Sequence, residues 1–171
     1  MKRVLIIKRV LVLVSFIPLL YGCWIYSFSG TSIAPDVNTI TVNYIQNRAM
    51  RVNPSLSNTL TETLKDKYRR LTKLKLEPDG GDLVLEGDIL SYETRSLAVT
   101  AQEVAAQNRL TITVNIKFTN KKHPEDDFER RFEAFEDYAS TMSLDQVESN
   151  LVDAIVEKLV EDIFNNTVAK W

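Results

Sequence analysis

From Leu110 to Thr119 apolar and polar residues alternate without a break: Leu110, Ile112, Val114, Ile116 and Phe118 against Thr111, Thr113, Asn115, Lys117 and Thr119. Successive side chains of a strand point to opposite faces, so this run specifies a β-strand with one buried and one wetted face. Such a strand needs sheet neighbours and a second layer over its apolar side. The flanking segments supply the neighbours. Before it, Leu83, Leu85 and Ile89 share a face, and Gly87 between them marks either a bulge or a close backbone approach. After it, Phe128, Phe132 and Ala134 share a face, while Phe135 falls out of phase in a way that a bulge would explain. The intervening stretch 120–127 is a charged loop in which His123 is expected to be solvent-exposed. Upstream, 36–45 reads as a further strand, with Ile40, Val42 and Tyr44 alternating with Thr41 and Asn43.

Two helices provide the second layer. Asn53-Pro54 has the form of an N-cap followed by Pro at the first helical position, and Leu56, Leu60, Leu64, Tyr68 and Leu71 then make one stripe. Pro78-Asp79-Gly80-Gly81 is a turn, without the glycine spacing of a phosphate loop. Near the end, Ser143 and Gln146 have capping-box spacing ahead of a stripe of Leu144, Val147, Leu151, Ile155, Leu159 and Ile163. Val152, Val156, Val160 and Phe164 widen that stripe. A wide apolar arc fits a helix seated between the sheet and the first helix, which is the favoured reading; the other is that Val156, Val160 and Phe164 dock onto a partner. The order β-α-β-β-β-α gives an α+β sandwich over 36–171, with two helices on one face of a four-stranded, mostly antiparallel sheet.

The start of the chain is of another kind. Lys2, Arg3, Lys8 and Arg9 precede the uncharged run 10–20, a basic start and an apolar core too short to span a bilayer. Residues 1–22 therefore read as a secretory signal, and 23–35 as a tether. Leu20-Tyr21-Gly22-Cys23 resembles the lipobox of bacterial lipoproteins, with the only cysteine of the chain at the position that becomes lipidated. Two or more acyl chains on Cys23 would hold the mature protein on a membrane facing the periplasm. Residues 24–29 contain no acidic residue. By resemblance to lipoprotein sorting signals, that argues for the inner leaflet of an outer membrane.

Composition narrows the function. Residues 1–22 hold four of the 21 basic residues and none of the 23 acidic ones, so the mature chain carries about −6, which disfavours nucleic acid. One Cys and one His leave no disulfide and argue against a metal site, and no cofactor motif is expected. Carboxylates such as Glu133, Glu157 and Glu161 are spread along wet faces, and no G-x-S-x-G elbow occurs. The basic run from Lys65 to Lys75 reads as a solvated face. Nothing points to an enzyme.

After the lipobox come Tyr26-Ser27-Phe28-Ser29-Gly30, the strand at Ile40-Thr41-Val42, the helix start at Pro54-Ser55-Leu56-Ser57, Gln107-Asn108-Arg109-Leu110 and Asp162-Ile163-Phe164-Asn165. In this order the chain resembles the lipopolysaccharide-assembly lipoprotein family, the LptE component, in its Bacteroidetes form. The resemblance implies a two-helix, four-stranded sandwich that sits within the LptD-type outer-membrane barrel and assists lipopolysaccharide insertion by binding rather than chemistry. It also implies lipopolysaccharide contacts by basic residues between the second and third strands and near the start of the last helix. Arg95 is the candidate in the first region, whereas Ser140-Thr141-Met142-Ser143 holds no basic residue. The alternative is an outer-membrane lipoprotein that activates a cell-wall synthase or pilots a secretin. A tether of about a dozen residues, rich in aromatics, is short for that reach.

Overall fold

The computed structural model describes residues 33–51, 53–97 and 106–168. The elements are β1 (Thr39–Val42), β2 (Gln46–Asn47), α1 (Leu56–Leu71), β3 (Lys75–Leu76), β4 (Leu83–Ser96), β5 (Gln107–Asn120), β6 (Phe128–Ala139) and α2 (Leu144–Thr167). The strands form one sheet in the order β3-β1-β4-β5-β6, with β2 pairing farther along β4 at Asp88 and Ile89. β4, β5 and β6 are long antiparallel partners, whereas β1 lies parallel to both β3 and β4. The parallel pairs follow from α1, which carries the chain back to its starting end between β1 and β3. The α+β fold with two helices on the apolar sheet face is as expected. Two-residue β2 and β3 are additions, and the sheet is mixed because β1 runs parallel to β4.

The alternating run forms β5 as read: Leu110, Ile112, Val114, Ile116 and Phe118 are buried, in a single core with both helices. Its neighbours depart from expectation in three places. Phe135 marks no bulge, because β5 and β6 pair without a break from Gln107–Ala139 to Phe118–Phe128. It points instead to the outer face, where it is 41% exposed. The bulge lies in β4, where the register shifts between Ile89 and Ser91. β1 is shorter than 36–45, for the chain leaves the ladder after Val42 and the Ile45 N–H donates to Thr61 Oγ1 (3.1 Å) on α1. That change of phase buries Ile45 and turns Tyr44 outward.

α1 also begins later than its Pro54 suggested. Asn53 Oδ1 accepts the N–H groups of Ser55 (3.0 Å) and Leu56 (3.2 Å), so the capping side chain stands three residues ahead of Leu56, the first helical position. Leu71 does not join the stripe and is 52% exposed, since the helix ends there and Thr72 Oγ1 donates back to Tyr68 O. Ser143 and Gln146 do form the capping box of α2. Between the helices, the buried Tyr68 hydroxyl lies 2.6 Å from Thr167 Oγ1, and burial pushes its pKa up.

Gly87 is the close-approach case. A Cβ there would lie 2.5 Å from the carbonyl oxygen of Asn115 and 2.7 Å from Ile116 Cδ1. The carbonyl belongs to the central strand and cannot give way. Gly87→Ala should therefore cost about 1–3 kcal/mol of stability, read as a lower urea midpoint at unchanged slope.

Candidate binding surfaces

The outer face of the sheet carries the polar half of the β5 alternation and its cross-strand partners. Asn115 Nδ2 donates to Glu129 (2.7 Å), Thr113 Oγ1 to Glu133 (3.1 Å), and Asn43 Nδ2 to Glu86 (3.0 Å). Arg48 pairs with Asp88 at 2.8 Å. Cross-strand partners such as these hold register and leave a face suited to water or a polar partner.

Toward the end where β4 finishes, arginines gather. Arg95 lies directly opposite Arg109 on β5. Arg109 makes a two-pronged pair with Asp137 (2.7 and 2.9 Å), and its guanidinium lies 3.6 Å from the Phe135 ring centroid. The hydrogen bonds from Arg109 hold the Asp137 carboxyl below the usual carboxylate range. Among the described residues Arg95 pairs with Glu93, at 2.8 Å, and its side chain is 77% exposed. The third arginine comes from the segment between β2 and α1: Arg51 stands 5.9 Å over the Tyr92 ring. The Tyr92 hydroxyl in turn donates to Glu148 in α2, and burial together with that carboxylate pushes the Tyr92 pKa up. Tyr92 thus carries Arg51 on its ring and reaches the start of the last helix with its hydroxyl. No pattern in the sequence brings residue 51 beside residue 92; only the pairing of β2 along β4 does.

The remaining sequence candidates fall as follows. Cys23, the leader 1–22 and most of the tether lie outside the described residues. Val156, Val160 and Phe164 are 1%, 2% and 4% exposed, and the Phe164 ring packs 5.3 Å from that of Tyr68. Their place in the core fits the favoured reading of a helix seated between the sheet and α1. The arc is wide because α2 faces the sheet on one side and α1 on the other.

His123 is not a free loop residue either. Its Nε2 lies 3.0 Å from Asp36 Oδ1 and its Nδ1 3.5 Å from Glu125, so it fastens the β5–β6 turn to the segment leading into β1. The Asp36 hydrogen bond raises the His123 pKa above its ordinary 6.5 and lowers that of Asp36 below 3.8. A raised histidine stabilises the fold below 6.5 and stops doing so as pH climbs through its folded value. A lowered aspartate stabilises it above 3.8 and stops as pH falls through its own. The fastening is thus fully present only between these two ordinary values. An NMR titration should find His123 protonating above 6.5, and Asp36→Asn should return it toward 6.5.

Among the described residues no group of His, Cys, Asp and Glu is placed to hold a metal ion, and no helix is long and apolar enough to cross a membrane. Two helices on a mixed sheet, with a polar outer face and arginines at one end, define a small α+β binding domain. The chain belongs to the lipopolysaccharide-assembly family, LptE, whose sequence model matches residues 37–167. That family is non-enzymatic, and membership gives the chain a role in lipopolysaccharide assembly. Among curated proteins, none matches the sequence.

Solved structures resemble the chain at low identity. A Helicobacter pylori homologue of a neuraminyllactose-binding hemagglutinin superposes with TM-score 0.53 at 13% identity, covering 81% of this chain and 87% of that one. A minor lipoprotein from Acinetobacter baumannii gives 0.47 at 16% identity, covering 77% and 96%. The lipoprotein GNA1162 from Neisseria meningitidis gives 0.42 at 13% identity, covering 75% and 99%.

Proposed function

We propose that this chain is an outer-membrane lipoprotein of the Bacteroidetes type, anchored through Cys23 at the periplasmic face. There it binds within an LptD-type barrel and assists the insertion of lipopolysaccharide. The family match over residues 37–167 carries this reading. The lipobox at Leu20-Tyr21-Gly22-Cys23 and the short tether support it. The test is a mild-detergent pull-down of the tagged, acylated protein from its own membranes. Stoichiometric recovery of a large barrel of the LptD type is the expected result. Recovery of a cell-wall synthase or a secretin without a barrel would overturn it.

Arg95 and Arg51 are the side chains proposed to meet the lipid A phosphates, since guanidinium groups suit phosphate oxygens. Both lie near the end of β4, and the ring under Arg51 is hydrogen-bonded to the start of α2. An exposed cation contributes up to about 1 kcal/mol to such a contact. Arg51→Gln together with Arg95→Gln should therefore weaken lipopolysaccharide binding by about tenfold in a titration with the purified glycolipid. The circular dichroism spectrum should not change.

A further inference from the structure

The sheet has two edges of different kinds. β3, at one, is two residues long and is soon followed by Pro78. β6, at the other, is 12 residues long and has no strand beyond it among the described residues. An edge of that length presents a row of backbone groups able to pair with another chain.

The phase of β6 fixes which groups these are. Just past its end, the Ser140 N–H donates to Ala106 O, so even-numbered positions face β5, and the pairing of β5 with β6 runs without a shift. In an antiparallel strand the N–H and C=O of one residue point the same way, and the direction alternates along the chain. The odd-numbered residues Glu129, Arg131, Glu133, Phe135 and Asp137 therefore turn theirs away from the sheet. The Phe135 carbonyl does so, accepting a hydrogen bond from the Lys158 ammonium of α2 (3.0 Å). The other four have no backbone partner on that side among the described residues.

Beside this edge runs an open groove of about 470 Å³, between Glu133 to Phe135 and the exposed side of α2. Three charge pairs cancel there: Lys158 with Glu136 (2.8 Å), Glu161 with Lys67, and Asp137 with Arg109. Glu157 and Asp162 are exposed and pair with no cation among the described residues, and Glu133 accepts a hydrogen bond from the neutral Thr113. Arg130 and Arg131 precede the groove, beside Glu129, and Arg130 is held by Asn166 Oδ1 (2.6 Å). The groove is thus left negative. A second copy pairing antiparallel on this edge would set its α2 beside this one, carboxylates against carboxylates, and like charges oppose that contact. An extended segment with Lys or Arg at alternate positions suits both the backbone row and the groove.

We infer that the free edge of β6 takes up an extended basic segment of a partner protein as an added strand. The segment's backbone pairs with the outward groups of Glu129 to Asp137, and its cations on the helix side reach Glu157 and Asp162. The inference stands on the sheet and not on the barrel reading. To a seat within a barrel it adds the strand along which a partner holds the domain.

The test uses the isotope-labelled full chain in non-ionic detergent and a peptide as long as β6 that alternates lysine with threonine and valine. Amide exchange is followed residue by residue by NMR. Without peptide, the N–H groups of Arg131, Glu133 and Phe135 should exchange fast, and those of Phe132 and Ala134, bonded to β5, slowly. Excess peptide should slow the odd-numbered set by about tenfold and leave the even-numbered set unchanged. The same peptide N-methylated at alternate backbone positions should give no protection, and a glutamate version should not bind. Glu157→Gln/Asp162→Asn should weaken the lysine peptide about fivefold while the even-numbered amides stay slow, which shows the fold intact. Odd-numbered amides that are already slow without peptide, that stay fast in its excess, or that the N-methylated peptide slows equally would overturn the added strand. Unchanged affinity in the double variant would overturn the selection of a basic segment.

Discussion

Phe164→Ala should lower the unfolding free energy of the mature chain by about 3–5 kcal/mol, as expected for an aromatic side chain removed from a closed core. The ring is 4% exposed and packs on Tyr68 of α1, with the Lys67 ammonium 5.7 Å from its centroid. Its loss would leave a cavity between the helices, beside the buried bond between Tyr68 and Thr167. Urea denaturation checks this, with the midpoint falling at unchanged slope. A residue that served only to dock a partner would behave otherwise. Truncating it would shift stability by no more than about 0.5 kcal/mol while reducing partner recovery. A small change in midpoint would thus reopen the reading that the buried position of Phe164 argues against.

Cys23→Ala should move the protein from the membrane fraction to the soluble periplasmic fraction and abolish incorporation of labelled fatty acid. Each acyl CH₂ placed in lipid contributes about 0.8 kcal/mol, and one chain holds a protein only marginally while two or more hold it firmly. Without them the remaining apolar side chains of the tether, Trp24, Ile25, Tyr26 and Phe28, are too few for firm attachment. The domain should keep its fold, because its core draws on residues from Val37 to Val168. Its circular dichroism spectrum and urea midpoint are the controls. Full membrane retention of an unlabelled Cys23→Ala protein would argue against the anchor.

Much of the architecture was legible because burial imposes periodicity. β5 could be read residue by residue, since a strand covered on one face repeats every two residues. The stripes of α1 and α2 were legible for the same reason, with a different period. The failures sit where periodicity ends. β2 and β3 are two residues long, too short to repeat anything. Phe135 breaks an apolar phase yet keeps its register, because an exposed aromatic covered by Arg109 looks in sequence like an inserted residue. The breadth of the α2 arc was visible, but breadth alone does not say whether the second cover is another helix or another protein.

The candidate surfaces were less legible than the core. Arg95 entered only through family resemblance, and its place opposite Arg109 follows from the register of β4 and β5. Arg51 gave no signal, since its neighbour Tyr92 lies far away in sequence. The sequence by itself determined the fold class and the family, because each is written in local spacing or in the order of elements. Only the tertiary structure decided that Val156, Val160 and Phe164 belong to the core, that His123 is fastened to Asp36, and that Arg51 stands over Tyr92. Those are long-range pairings, fixed by how β1 and β2 lie along β4 and how α1 closes over α2.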